Sequence, residues 1–373
     1  MKLDTFRLDE LGTVARGRSR HRPRNASHLY GGPYPFIQTG DVKHSALYIT
    51  SHSQTYNEAG LDQSKLWPRG TLCITIAANI AETAILGFDA CFPDSVVGFN
   101  SDSKQSDVRF IKYKFDVFKK QYQAVSQGST QDNLSLEKLF SFKLEVPDVN
   151  VQRRIGDILS AYDSLIENNR RRMELLEDAA RQLYKEWFVR LRFPGREHTK
   201  IKNGVPKGWE RKNLGDYAPL NYGKALKESN RVEGDFPVFG SSGEVGSHNE
   251  ALVKGSGIIV GRKGNVGSVF WCDKPFWPID TTYYIAPETC DLFLYHALQH
   301  LPFQNSDGAV PGLNRPYAHA LKLLVPSKQI LTSFLETTAP MFRQANTLKA
   351  MNEKLTVARD ILLPRLMSGE IEV

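Results

Sequence analysis

Ile155-Gly-Asp-Ile-Leu-Ser-Ala-Tyr-Asp-Ser-Leu-Ile166-Glu-Asn-Asn169 opens the stretch that decides the fold. The apolar set continues through Met173, Leu176, Ala180 and Leu183 to Trp187, recurring every three to four positions. That spacing lines one face of a helix. No Pro or Gly follows Gly156 in this run, so one helix is expected over residues 148–190. About forty residues of helix make a rod of roughly 60 Å. An apolar face of that length needs a partner along it. Asn169 is either a buried amide that fixes helix register or a residue at the stripe's edge.

The partner comes from the same chain. Phe334, Leu335, Thr338, Met341, Phe342, Ala345, Leu348, Asn352, Leu355, Ala358, Ile361 and Leu362 form a second stripe of matching period. Pro340 falls near its first turns and is expected to kink it. Pro147 and Pro326, which precede the two helical runs, lie 179 residues apart. The segments before them also echo each other. Leu11-Gly12 answers Leu214-Gly215, and Pro35-Phe36 with Gly40-Asp41-Val42 answers Pro237-Val238 with Gly243-Glu244-Val245. The chain is a duplicated module of globular domain plus long helix, too long a period for a solenoid. Two antiparallel helices are the simplest way to bury both stripes.

The flanking regions read as β-rich. Strands are expected at 34–38, 71–76, 96–99 and 108–113, with a helix at 115–125. In the second half strands are expected at 257–261, 268–272 and 282–286, with a helix at 292–301. Phe193-Pro194-Gly195 breaks the first long helix, and the polar, basic stretch to Trp209 reads as a linker. The fold class is α+β: β-rich domains at 1–147 and 193–326, a long helix after each (148–192 and 327–373), and pseudo-two-fold repetition.

With 373 residues and a net charge of +7, the chain holds two or three cores and leans toward a polyanionic partner. Cys73, Cys91, Cys272 and Cys290 are dispersed and form no Cys-x-x-Cys pair, which fits a reducing compartment and no zinc site of that kind. No signal-peptide core or run of ~20 apolar residues is present, so a cytoplasmic protein is expected.

Catalytic signatures are near misses. Asn314-Arg315-Pro316-Tyr317 has Arg where an amino-methyltransferase loop needs its first Pro, and Phe239-Gly-Ser-Ser-Gly243 misses the cofactor-loop spacing. Gly261-Arg-Lys-Gly-Asn-Val-Gly-Ser268 misplaces the Lys of a phosphate-binding loop and reads as a tight turn. Glu210-Arg-Lys212 lacks the Asp of a nuclease site, since Asp178 lies within the helix. His296 and His300 have zinc-ligand spacing without a third ligand, and read as ordinary helix residues.

The positive signals are for nucleic acid. Arg16, Arg18, Arg20, Arg22 and Arg24 alternate with small or polar residues in a stretch free of acid between Leu11 and Gly40. Such a loop neutralises phosphates and presents guanidinium forks to a groove, or else it is a solvated basic loop. Weaker candidates are Lys43, His44, Asn79, Gln131 and Asn133 in the first domain. In the second they are Lys224, Lys227, Arg231, Ser241, Ser242, His248, Arg262, Lys263, Asn314 and Arg315.

The order domain, helix, domain, helix resembles the specificity subunit of Type I restriction–modification systems over essentially the whole chain. The residues that carry the likeness are Pro147-Asp-Val-Asn-Val-Gln152-Arg-Arg-Ile-Gly156 with Ile166-Glu-Asn-Asn169, and Leu362-Leu-Pro-Arg-Leu-Met-Ser-Gly369-Glu-Ile371. Gly128-Ser-Thr-Gln-Asp-Asn-Leu134, Ile37-Gln-Thr-Gly-Asp-Val42 and Leu66-Trp-Pro-Arg-Gly-Thr-Leu-Cys73 add to it. Gly308-Ala-Val-Pro-Gly-Leu-Asn314 departs from the corresponding loop. The resemblance implies a non-catalytic reader of double-stranded DNA. Each β-rich domain would be a target-recognition domain for one half of a split, asymmetric site, and the helices, as a coiled coil, would set the gap. They would also dock two modification subunits, which carry S-adenosylmethionine, and through them restriction subunits that use ATP and Mg. Arg170, Arg171 and Arg172 with Tyr184, Trp187 and Phe188 are candidates for that docking surface, or the aromatics pack between the helices. A duplicated scaffold that binds only protein is the alternative.

Overall fold

The computed structural model describes residues 2–77, 79–127, 134–303 and 312–373, with side chains for all of these except 120–127. It divides into two compact units, Met1–Arg171 with Leu348–Val373, and Arg172–Thr347. Each long helix therefore contributes to both units.

In the first unit a five-stranded sheet runs in the order Gly12–Arg16, Val96–Ser101, Leu72–Thr75, Thr83–Leu86, Tyr48–Ile49. A four-stranded sheet runs Gln54–Tyr56, Tyr30–Phe36, Ala90–Cys91, Leu66–Trp67, with Phe36 and Cys91 paired in parallel. Leu72–Thr75 and Thr83–Leu86 are buried at every position, because structure covers both faces of the sheet. A ribbon of Asp4–Phe6 with Leu144–Val146 leads into the long helix Val149–Tyr184.

The second unit repeats this plan. Asn221–Tyr222, Thr282–Ile285, Gly257–Gly261 and Val269–Cys272 form one sheet in that order. Gly243–His248, Phe236–Gly240 and Trp277–Pro278 form the smaller one, again with a parallel pair. The ribbon of Glu210–Asn213 with Lys322–Val325 leads into the long helix Lys328–Ser368. The echoing Pro35 and Pro237 fall in the corresponding strands of the two smaller sheets.

Three expectations are corrected. Residues 108–113 are not a strand but the first turns of the helix Val108–Gln127. Asp107 Oδ1 accepts from the backbone N–H of Arg109 and Phe110 and so starts it. The alternation of Val108-Arg-Phe-Ile-Lys-Tyr-Lys-Phe115 misleads because Phe110 to Phe115 are all buried, Lys112 and Lys114 included. Lys112 pairs with Asp116 at 2.5 Å, and Lys114 Nζ donates to the Met367 carbonyl at 3.4 Å. Residues 193–209 are no loose linker: Phe193 and Trp209 are buried with ring centres 4.8 Å apart. Between them Ile201–Lys202 and Val205–Pro206 form a hairpin whose turn, Asn203-Gly204, has both φ positive. The second long helix continues through Pro340, which lies well inside Lys328–Ser368 and not in its first turns. Thr337 and Thr338 hydroxyls donate to the carbonyls of Ser333 and Phe334 in the turn before it.

The helices run antiparallel within each unit. In the first, Asn169 Nδ2 donates to Asn352 Oδ1 at 2.9 Å, and Asn352 Nδ2 donates to the Ile166 carbonyl at 3.0 Å. Asn169 is thus the buried amide, whereas Leu165 lies off the stripe at 41% exposure. Asp163, 3% exposed, accepts from Arg359 through one oxygen and from Tyr113 Oη at 2.5 Å through the other. In the second unit Tyr184, Trp187 and Phe188 surround Phe334 with ring centres 5.0 to 6.3 Å away. That aromatic trio is buried packing, while Arg170, Arg171 and Arg172 are exposed. No described helix is long and apolar enough to cross a membrane.

Removing Asp163 takes from Arg359 the buried one of its two carboxylate partners, Asp360 being the other, and leaves the buried Tyr113 hydroxyl without its acceptor. Asp163→Ala is expected to destabilise the first unit by about 3 kcal/mol, read as a lower midpoint in urea denaturation. Arg170→Ala, on the exposed face, serves as the control and moves the midpoint little.

Candidate nucleic-acid interface

The arginine run does not present five free arms. Arg18 turns inward: its guanidinium donates to the Ser64 carbonyl, and the Ser64 hydroxyl donates to the Arg18 carbonyl at 2.7 Å. Arg22 donates to the carbonyls of Ser19 and His21 at 2.6 and 2.8 Å. Arg24 grips both oxygens of Asp94 at 2.6 and 2.8 Å. That last pair is half exposed, so it contributes about 0–1 kcal/mol and a phosphate can compete for the arginine. Arg16 and Arg20 are exposed and have no side-chain partner among the described residues. Arg16 and Arg24 line one open depression of about 280 Å³ with Asp94 and Ser95.

Lys43 and His44 are exposed at the end of the short helix Thr39–Lys43. His44 opens onto a groove of about 420 Å³ that also takes in Tyr48, Glu167, Arg170 and Arg171. Asn79 is half-buried, and its carbonyl accepts from the Thr75 hydroxyl. Gln131 and Asn133 lie outside the described residues.

The second unit concentrates its candidates better. The Ser241–Ser242 turn joins Phe236–Gly240 to Gly243–His248 and abuts the loop 262–267. The Ser268 hydroxyl donates to the Ser241 carbonyl at 2.6 Å, and Asn265 Nδ2 reaches Ser242 Oγ at 3.5 Å. Gly264 and Gly267 hold φ near +77°, the left-handed conformation this tight turn requires. The backbone N–H groups of Arg262 and Lys263 both donate to the Thr281 carbonyl, which fixes where their side chains leave the loop. The guanidinium groups of Arg262 and Arg315 lie 5.0 and 4.7 Å from the ring centre of Tyr222. Tyr222 was missed in the sequence; its one signal is an aromatic close before the basic Lys224 and Lys227.

Others in this unit are structural or apart. His248 is buried, its Nδ1 accepts from the Val232 N–H at 3.1 Å, and its ring meets Trp277 edge-on. Asn314 Oδ1 caps the helix Arg315–Ala320 by accepting from the Tyr317 N–H at 3.1 Å. That cap accounts for the Asn-Arg-Pro-Tyr sequence. Lys224 Nζ sits 5.9 Å from the ring centre of Trp277. Arg231 donates to the Val245 carbonyl at 2.7 Å, and Lys227 is exposed.

His296 is buried among Tyr184, Tyr295, Phe334 and Phe342, with ring centres 5.1 to 6.4 Å away. His300 Nδ1 bonds instead to the His296 carbonyl at 2.9 Å, so the two rings do not converge on a shared ion. Among the described residues no group of three or more His, Cys, Asp or Glu is placed to hold a metal. Burial pushes His296 down to about 4, opposed by Gln299 and aided by the charges of His300 and Arg181. A depressed folded-state value means that the unfolded chain binds the proton more readily. Stability is full above the ordinary value near 6.5 and is lost as pH falls from there toward about 4. The loss is up to about 3 kcal/mol. His296→Phe is expected to flatten this drop, checked by thermal melts at pH 7 and pH 4.5.

A family model for the Type I restriction modification DNA specificity domain matches residues 2–178 and again 206–330. The chain is 24% identical to the Type I restriction enzyme MjaIX specificity subunit of Methanocaldococcus jannaschii, covering 99% of this chain and 94% of that one. It is 24% identical to the HindI specificity subunit of Haemophilus influenzae over 66% of this chain and 73% of that one. Among solved structures, the S subunit of a Type I restriction–modification system from M. genitalium superposes with a TM-score of 0.69 at 18% identity. That superposition covers 98% of this chain and 96% of the other, and it shows the shared fold.

Proposed function

The chain belongs to the Type I restriction modification DNA specificity family, and from that premise we propose how it reads its site. It is a DNA-specificity subunit with no chemistry of its own. Residues 1–147 and 193–326 act as two target-recognition domains, each contacting one half of a bipartite sequence in the major groove. Residues 148–192 and 327–373 act as spacer helices that set the unread gap and dock modification subunits. Those subunits supply S-adenosylmethionine and methylate adenine; restriction subunits that join them use ATP and Mg. Working on genomic DNA, the assembly is cytoplasmic.

The observation that carries this reading is the repeated topology with unrepeated side chains. Corresponding strands meet in the same order in both units. Yet the polar groups at the surface differ: exposed Arg16 and Arg20 in the first, and half-buried Arg262 and Arg315 against Tyr222 in the second. One framework with two different contact sets reads two different half-sites. The free arginines serve mainly to hold phosphate, and the planar forks serve to read base edges.

The test is base-resolved adenine methylation in cells carrying this chain with a compatible modification subunit, compared with cells lacking only this chain. A split, asymmetric methylated motif that disappears without the chain is expected. An unchanged pattern, with partner expression confirmed, would leave the protein-only scaffold as the better reading. Exchanging residues 1–147 for the first domain of another such subunit is expected to change one half of the motif. A change in both halves would contradict the assignment of one domain to one half-site.

A further inference from the structure

We propose that Tyr222 positions Arg262 and Arg315 as a pair of guanine-reading arms, so that the second domain's half-site contains G·C pairs read in the major groove. This rests on the function proposed above. Tyr222 stands opposite Tyr283 on the neighbouring strand, and Tyr283 stands opposite Val260 on the next. Residues in one row across a sheet share a face. On this face Tyr283 and Val260 are buried in the core, whereas Tyr222, on the edge strand, is 48% exposed. Arg262 continues the same face just beyond the strand Gly257–Gly261. Arg315 arrives from the first turn of Arg315–Ala320. The core face thus ends in an exposed tyrosine with two guanidinium groups against it, at 5.0 and 4.7 Å.

Stacking uses the flat face of a guanidinium and leaves its N–H edge free. Arg262 gives one donor to the Asp280 carbonyl at 3.1 Å and lies 5.7 Å from the ring centre of Tyr283, so it is held from two further sides and keeps fewer free donors than Arg315. Arg315 gives none to another described side chain or carbonyl. Two non-bridging phosphate oxygens also accept a guanidinium fork, but a phosphate can turn on its flexible backbone to meet the fork, so a fixed plane adds less there. The O6 and N7 acceptors of guanine lie in one plane and match a planar fork held in orientation. Holding the fork before DNA arrives also lowers the ordering cost of binding. The arrangement therefore fits base reading better than charge neutralisation.

The experiment uses the full chain assembled with its modification subunit and a library of duplexes randomised at the second half-site. Arg262→Lys and Arg315→Lys keep the charge and remove the fork. Each is expected to relax one G·C position by about tenfold to a hundredfold while leaving the first half-site unchanged. Tyr222→Leu is expected to relax both positions together, and Tyr222→Phe to restore them, since the ring and not the hydroxyl does the positioning. The intact first half-site reports that the assembly is folded. Equal loss on every sequence would mean a phosphate contact and would overturn the proposal, as would unchanged specificity in the lysine variants. If the unmodified assembly selects no split motif at all, it is the proposed function that fails.

Discussion

Everything in the first unit depends on how Asp163 is held. Its carboxylate is taken out of water inside the paired helices, where an unpaired charge is severely penalised. Arg359 satisfies it from the opposite helix and Tyr113 from the helix Val108–Gln127. Three elements are thereby locked to a single arrangement. Aliphatic stripes alone tolerate sliding by a turn, because leucine packs against leucine in many registers. A carboxylate that needs both partners does not. The amides of Asn169 and Asn352, a few turns along, the first donating to the second and the second to the Ile166 carbonyl, impose the same register independently.

The second unit solves the same problem without charge. Tyr184, Trp187 and Phe188 close around Phe334, and His296 packs beside them as a neutral ring. Aromatic packing supplies large buried area with preferred ring angles. The two halves of the repeat thus share topology but not the means of cohesion. Duplication transmitted the order of strands and the helical period, and the side chains that fasten them diverged.

How much was legible from the residues follows from the same physics. The long helices declare themselves because a 3.6-residue period over forty positions has no competing reading. Gly257–Gly261 is bounded by glycines and buried throughout, and its limits coincide with those expected. Only the first turns of the helix Val108–Gln127 were hidden, since burial of residues 110–115 on every side erases the polar face that betrays a helix, whereas its later part lies where a helix was expected, at 115–125. Asn169 stayed ambiguous because its partner lies 183 residues away. The arginine run shows the limit for the site. Nothing in the alternation of Arg16 to Arg24 tells which arms are free. That depends on Ser64 and Asp94, brought alongside only by the folded sheets. Tyr222 likewise acquires its meaning from Arg262 and Arg315, which are remote from it in sequence.

The first unit is assembled from both ends of the chain, whereas the second is one continuous segment. Leu366 and Met367 sit in the same core as Leu72, Phe99 and Ile155. During synthesis that core stays open until those two residues have left the ribosome. Domains generally fold in the order in which they are made. Here the order is reversed: residues 172–347 hold everything their own core needs while the earlier sheets still wait for their last helical turn. At about 5–20 residues per second, the nascent first unit exposes apolar surface for on the order of ten seconds or more. That interval, rather than the finished stability, is where this chain is most open to chaperones and to misassembly.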